Sequence, residues 1–178
     1  MTGGALRAAV AKRAIAVHHR GMRSLAVVVA AVAAACSLRA QNPTAPANLA
    51  VVAVPTGSYV SGDTSYAALN DGNQPVDSLE RGTGSYGNWP RRGTSWVEYT
   101  WPQPISTAQI EVYWWDDHQG VRLPKACRLL REDGESLVPV ADAKGLGVEK
   151  DKFNVTTFAE ITTRRLRLEI DRKSTRLN

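Results

Sequence analysis

Between Tyr59 and Ile170 the apolar residues alternate with polar ones and do not recur at helical spacing. In residues 95–101 (SWVEYTW), Val97, Tyr99 and Trp101 fall on one face, and Trp96, Glu98 and Thr100 on the other. In residues 110–115 (IEVYWW), Ile110, Val112 and Trp114 alternate with Glu111, Tyr113 and Trp115. Near the end, Leu166, Leu168 and Ile170 alternate with Arg167 and Glu169. Period-two runs rich in β-branched and aromatic residues predict half-buried strands. Shorter strands are expected at residues 128–130 and 136–140, around the Glu132-Asp133-Gly134 turn. Breakers separate them: Asn70-Asp71-Gly72-Asn73, Gly82-Thr83-Gly84, Asn88-Trp89-Pro90, Gln119-Gly120 and Lys144-Gly145-Leu146-Gly147. Many short strands parted by Gly, Pro and Asn turns, with no long helical period and no internal repeat, predict an all-β antiparallel sandwich or barrel.

The first forty residues follow a different pattern. LAVVVAAVAAAC, ending at Cys36, is an apolar run preceded by Arg23 and followed by the more polar SLRAQN. A basic start, a short apolar run and small residues at the cut mark a secretory signal, and the run is shorter than the ~20 residues that span a bilayer. Residues 22–40 are read as that signal, with Met22 as the better start and residues 1–21 as an overlong one. Ala33-Ala34-Ala35-Cys36 resembles a lipoprotein box in which Cys36 would carry a lipid anchor; the alternative is cleavage near Ala35 or Ala40. Either way the expected location is outside the cytoplasm, with no membrane span. Residues 41–47 read as a flexible leader. At the other end, residues 171–178 (DRKSTRLN) back-translate to a string that resembles a short-read sequencing adapter, so they are expected to be artefact and the chain a fragment.

Charge changes the picture only once it is located. The chain carries 22 basic and 17 acidic residues, which suggests an anionic partner. Most of the excess lies in the first forty and last eight residues, and residues 41–170 carry a small acidic excess. No Lys/Arg cluster with interleaved aromatics remains to follow a phosphate backbone, so a nucleic-acid partner is rejected. Besides Cys36 the chain has only Cys127, flanked by apolar residues and expected to be a small buried side chain, so the mature domain forms no internal disulfide.

Candidate chemistry gathers in the loops. Trp115, Asp116, Asp117, His118 and Arg122 follow a strand and should lie in an end loop, where function tends to sit. An aromatic face against the apolar side of a sugar ring, with carboxylate and guanidinium groups on its hydroxyls, is a binding arrangement. The other reading of this segment is an Asp–Arg pair that pins the loop. Tyr86 and Trp89, in SYGNWP, are further candidates for a sugar face. Asp71, Asn73 and Ser78 offer oxygens at short spacing for a structural Ca²⁺, against the alternative of an ordinary Asn-Asp-Gly turn. Catalysis lacks support: no nucleophile with its base is discernible, and Asp116 and Asp117 are neighbours, which in extended chain point to opposite sides and cannot flank one glycosidic bond.

NLAVVA, SYVSGDTSYAALNDG, WVEYTWPQPISTAQIEVYWWDD and VRLPKACRLL together resemble a discoidin (coagulation factor 5/8 C-type, galactose-binding-like) module. The likeness is closest to modules attached to bacterial glycoside hydrolases, including β-L-arabinofuranosidases, and GLGVEKDKFNVTTFAEITTRRLRLEI resembles their closing strands. It covers residues 48–170. The resemblance implies a jelly-roll-like β-sandwich whose end loops bind sugars, in many members with a structural Ca²⁺. It also implies a further closing segment, absent here, that would supply a last strand and a Glu to the metal. The implied function is a non-catalytic carbohydrate-binding accessory module of an exported bacterial glycoside hydrolase, with polysaccharide as partner and the catalytic domain in cis downstream. The alternatives are a structural or adhesive surface module without sugar binding, and a sandwich that only stabilises an attached catalytic domain.

Overall fold

The computed structural model describes residues 5–11, by backbone only, together with residues 47–80, 84–116 and 122–171. The signal segment with Cys36, most of the leader, Asp117, His118 and the adapter-like residues from 172 onward lie outside the described residues. Among the described residues, no helix is long and apolar enough to cross a membrane.

The fold is all-β and antiparallel. Among the described residues, six strands, β1 (Ala5–Ala11), β2 (Val54–Gly57), β3 (Ser95–Trp115), β4 (Ala126–Asp133), β5 (Ser136–Pro139) and β6 (Phe153–Asp171), form one sheet in the order β1-β3-β6-β4-β5, with β2 on β3. Single 3-10 turns lie at Leu49–Val52 and Tyr66–Leu69. β1, within the segment read as an overlong start, pairs with β3 from Ala5↔Trp115 to Ala11↔Gln109.

The two alternating runs read as separate strands are halves of one bent strand. The β3–β6 ladder is interrupted between Thr100 and Ile105 and again between Thr107 and Gln109. Pro102 and Pro104 occupy the first gap, exposed. Proline has no N–H to give a ladder, so it is tolerated where pairing lapses and the strand turns a corner. At the second gap the buried Thr107 substitutes its hydroxyl for a ladder partner, donating to Gln109 O at 2.8 Å and accepting from Gln109 N at 3.2 Å. Thr163 does the same on β6 with Arg165 O and N. Strands that switch layers through such bends let one sheet fold over itself into a sandwich.

Both halves of β3 face one core. Val97, Tyr99 and Trp101 from the first half join Ile110, Val112 and Trp114 from the second, with Leu166, Leu168 and Ile170 of β6. The apolar face that the alternation marks is thus the buried one, although Glu98 and Tyr113, on the opposite face of β3, are buried as well. The polar ends of the buried aromatics reach loop carbonyls: Trp101 Nε1 donates to Leu49 O at 2.7 Å, Tyr99 OH to Leu69 O at 2.8 Å, and Trp114 Nε1 to Gly147 O at 2.9 Å. Each large ring supplies burial and also fixes the loop that its polar tip must reach. Cys127 packs against this core, and burial pushes its thiol up to about 11, which makes it an unreactive side chain at neutral pH.

Candidate functional site

The bend in β3 brings both of its ends to one rim of the sandwich. Ser95 pairs with Ile170, and Cys127 pairs with Ile170 from the other side. From the far end of β3, Asp116 Oδ2 accepts from Leu123 N at 3.2 Å, and Lys125 N donates to Asp171 O at 3.0 Å. The two residues from Leu123 to Lys125 span at most about 7 Å, so Asp116 and the start of β4 share the rim. Three loop assemblies meet there.

The first joins residues 58–65 to residues 84–94. Ser61 N donates to Gly87 O at 2.8 Å, Ser61 Oγ to Trp89 O at 2.8 Å, and Ser58 N to Trp96 O at 2.9 Å. Trp89 is 44 % exposed, and among the described residues it is the one exposed aromatic side chain. Close by, the Arg91 guanidinium lies over the Tyr59 ring, 4.9 Å from its centre, within the range of a cation–π contact. Tyr86 does not belong to this surface, which corrects its reading as a sugar face. It is buried, stacks on Tyr66 with ring centres 5.7 Å apart, and donates its hydroxyl to Tyr59 O at 2.7 Å. Burial raises its phenol far above the ordinary range, and Tyr66 adds to the shift. Tyr86 holds the loop from beneath, and Trp89 is what the loop presents.

The second assembly ties residues far apart in sequence through Ser78. Its buried hydroxyl donates to Asp151 Oδ1 and accepts from Asp116 N at 3.0 Å. Asp116 is buried, with Arg122 Nη1 at 3.4 Å from its carboxylate and the Leu123 amide on the other oxygen. This is the loop-pinning geometry, so Asp116 is corrected from a sugar contact to an anchor. Arg122 is exposed and Trp115 half-buried, so both retain surface on the rim. For Asp151, burial opposes the charged form, but hydrogen bonds from Ser78 and Lys150 and the Lys150 charge outweigh it and hold the carboxyl below its ordinary value.

Of the calcium candidates, Asp71 and Asn73 are exposed, and Ser78 is buried in the assembly just described. Asp71 Oδ1 accepts from Asn73 N at 2.9 Å, Gly72 has φ 75°, and Asn70 Nδ2 donates to Ala50 O and Ala53 O. This is a well-formed Asx turn. Among the described residues no three His, Cys, Asp or Glu side chains stand together. The turn therefore offers a cation few charged oxygens.

The third assembly borders the start of β6. Asn154 is buried and accepts from Glu149 N at 2.9 Å, while its amide nitrogen faces Glu149 O at 2.7 Å, Lys152 O at 3.1 Å and Val112 O at 3.3 Å. With Trp114 Nε1 on Gly147 O, this fixes residues 147–152 from two sides. Periodicity alone does not reveal this element, which only the family resemblance covered: its inward residues, Asn154 and Thr156, are polar and carry no hydrophobic alternation. The signal available was Gly145-Leu146-Gly147 close before Asn154.

No protein-family model and no curated protein sequence matches the chain. Solved structures do. A chain of the β-galactosidase BgaA from Streptococcus pneumoniae superposes with a TM-score of 0.62 at 15 % identity, covering 69 % of this chain and 84 % of that one. A chain described as a candidate α-L-fucosidase from Bacteroides thetaiotaomicron superposes with a TM-score of 0.53 at 15 % identity, covering 70 % of this chain and 25 % of that one. At this identity the likeness is one of fold: the sandwich built here recurs in both chains.

Proposed function

We propose that this chain is a non-catalytic carbohydrate-binding module of an exported glycoside hydrolase, and that it holds glycan on the loop rim around Trp89. The observation that carries the reading is the exposed indole of Trp89 beside the Arg91–Tyr59 stack, on loops fixed by Ser61 and Tyr86. An indole offers a flat face to the C–H side of a sugar ring, and a guanidinium donates to its hydroxyls. Rigid loops keep the ordering cost of such binding low. Trp115 and Arg122, with Asp117 and His118 between them in sequence, extend the same proposal along the rim. Support also comes from the recurrence of the sandwich in a β-galactosidase chain and in a chain described as a candidate fucosidase.

The test is affinity electrophoresis of the full chain in gels cast with plant or microbial polysaccharides, followed by calorimetry on those that retard it. Trp89→Ala is expected to abolish retardation while leaving the melting temperature within about 2 °C, because an exposed side chain contributes little to stability. Undiminished retardation of that variant rejects the Trp89 site. A second reading, a structural or adhesive module, draws on Val51, Val52 and Val54, which are 48 %, 62 % and 61 % exposed along one short stretch. It predicts no retardation by any glycan.

A further inference from the structure

Between the Gly145–Gly147 turn and the start of β6 lies an open groove of about 500 Å³, within the size range of small-ligand sites. Its walls combine apolar and charged groups: Leu146, Phe153 and Val155 on one hand, Glu149 and Lys152 on the other. Val155 is 44 % exposed, an apolar side chain turned to water at the groove wall. Glu149 and Lys152 pair at 2.6 Å, and the adjacent Lys150 and Asp151 pair at 3.4 Å. The two charged groups that line the groove therefore cancel.

The groove is also preformed. A Cβ on Gly147 would come within 2.7 Å of Asn154 Oδ1, and one on Gly145, whose φ is 89°, would collide with the Val155 carbonyl oxygen. Only glycine lets this turn lie so close against β6. Asn154 and Trp114 then hold the loop from inside. A pocket fixed by buried side chains loses little entropy when a ligand enters.

We infer that this groove is a second glycan subsite, separate from the Trp89 surface, and that it takes an uncharged sugar unit. Phe153 and Val155, on one face of β6, accept the C–H face of a ring, and the Glu149–Lys152 pair accepts from and donates to its hydroxyls. An anionic sugar would meet Glu149, and Lys152, the cation that lines the groove, is already paired with it. The inference rests on the module's being a glycan binder, as proposed above, and adds where a second unit sits and what charge it carries.

The experiment follows amide and indole N–H resonances of the full ¹⁵N-labelled chain during titration with neutral methyl hexosides and pentosides, and with glucuronate. The expected result is saturable shifts at Gly145, Gly147 and Glu149 with at least one neutral glycoside, and at the Trp89 indole independently. Val155→Glu, at an exposed position, is expected to weaken the groove response roughly tenfold or more, with Trp89 still responding. Glu149→Ala with Lys152→Ala is expected to do the same without loss of fold, since both side chains are largely exposed. Stationary groove amides with a shifting Trp89 indole overturn the subsite and leave the module's function standing. Stationary signals everywhere overturn both. Groove shifts that survive in both variants, or glucuronate binding there as well as the neutral sugars, also overturn the assignment.

Discussion

Replacing Asn154 with alanine removes the side chain that fixes residues 147–152 against β6. Its amide nitrogen has two hydrogens for three carbonyls, at 2.7, 3.1 and 3.3 Å, and its oxygen takes one N–H at 2.9 Å. About three hydrogen bonds are therefore at stake, each contributing roughly 1 kcal/mol net. Glu149 and Lys152 are exposed, so water can recover part of the loss at their carbonyls. The loss expected for Asn154→Ala is about 2–3 kcal/mol, or a melting temperature lower by roughly 10 °C for a domain of this size. Asn154→Asp sharpens the test. At neutral pH it places a carboxylate against three carbonyl oxygens, so it should be less stable than the alanine variant. Those carbonyls raise its folded-state pKa, so its deficit should shrink as pH falls and the acid becomes a donor. The assay is urea unfolding of wild type and both variants between pH 4 and pH 7. A cost below about 1 kcal/mol for Asn154→Ala, or an aspartate variant more stable than the alanine one at neutral pH, refutes the assigned hydrogen bonds.

Two further outcomes follow from the same loops. Asp151 has a folded-state pKa below its ordinary value, so its charged form stabilises the fold above the ordinary carboxylate range, and that contribution is lost as pH falls through the folded value. Asp151→Asn should thus cost stability at neutral pH, with the gap to wild type closing below about pH 4; a gap independent of pH rejects the Ser78–Asp151 assignment. For the Asp71 turn we propose weak calcium binding. A Kd of about 1 mM would give about 1 kcal/mol at ~5 mM calcium, seen as a small rise in melting temperature that Asp71→Ala removes. No rise, or the same rise in the variant, rejects the site.

Strand periodicity was legible wherever the buried face is apolar. Val97, Tyr99, Trp101, Ile110, Val112, Trp114, Leu166, Leu168 and Ile170 all lie in the core their alternation predicts, because side-chain direction in a strand reverses at every residue whatever the surroundings. Other features depend on what packs beneath or across. Nothing in SYGNWP distinguishes Tyr86 from Trp89. Tyr86 is buried because Tyr59 O and the Tyr66 ring lie under it, and Trp89, three residues on, faces solvent. That residues 95–101 and 110–115 are one strand was not legible from their two alternations, which are separated by the corner at Pro102 and Pro104.

The first half of β6 escaped the pattern for the opposite reason. Asn154 and Thr156 point inward and are buried although polar, and the hydrogen bonds of Asn154 stand where apolar burial would otherwise be. Ser78 could not be paired with Asp116 or Asp151 from spacing alone, since the contacts span 38 and 73 residues. By itself, then, the sequence determined the class of fold and the inward faces of its apolar strands. Tertiary structure alone decided which loops share a rim, which aromatic is exposed there, and which carboxylates serve as anchors. The physical reason is one of range: alternation is written into neighbouring residues, whereas burial and hydrogen-bond partnership are set by chain segments that meet only when the long strands bend.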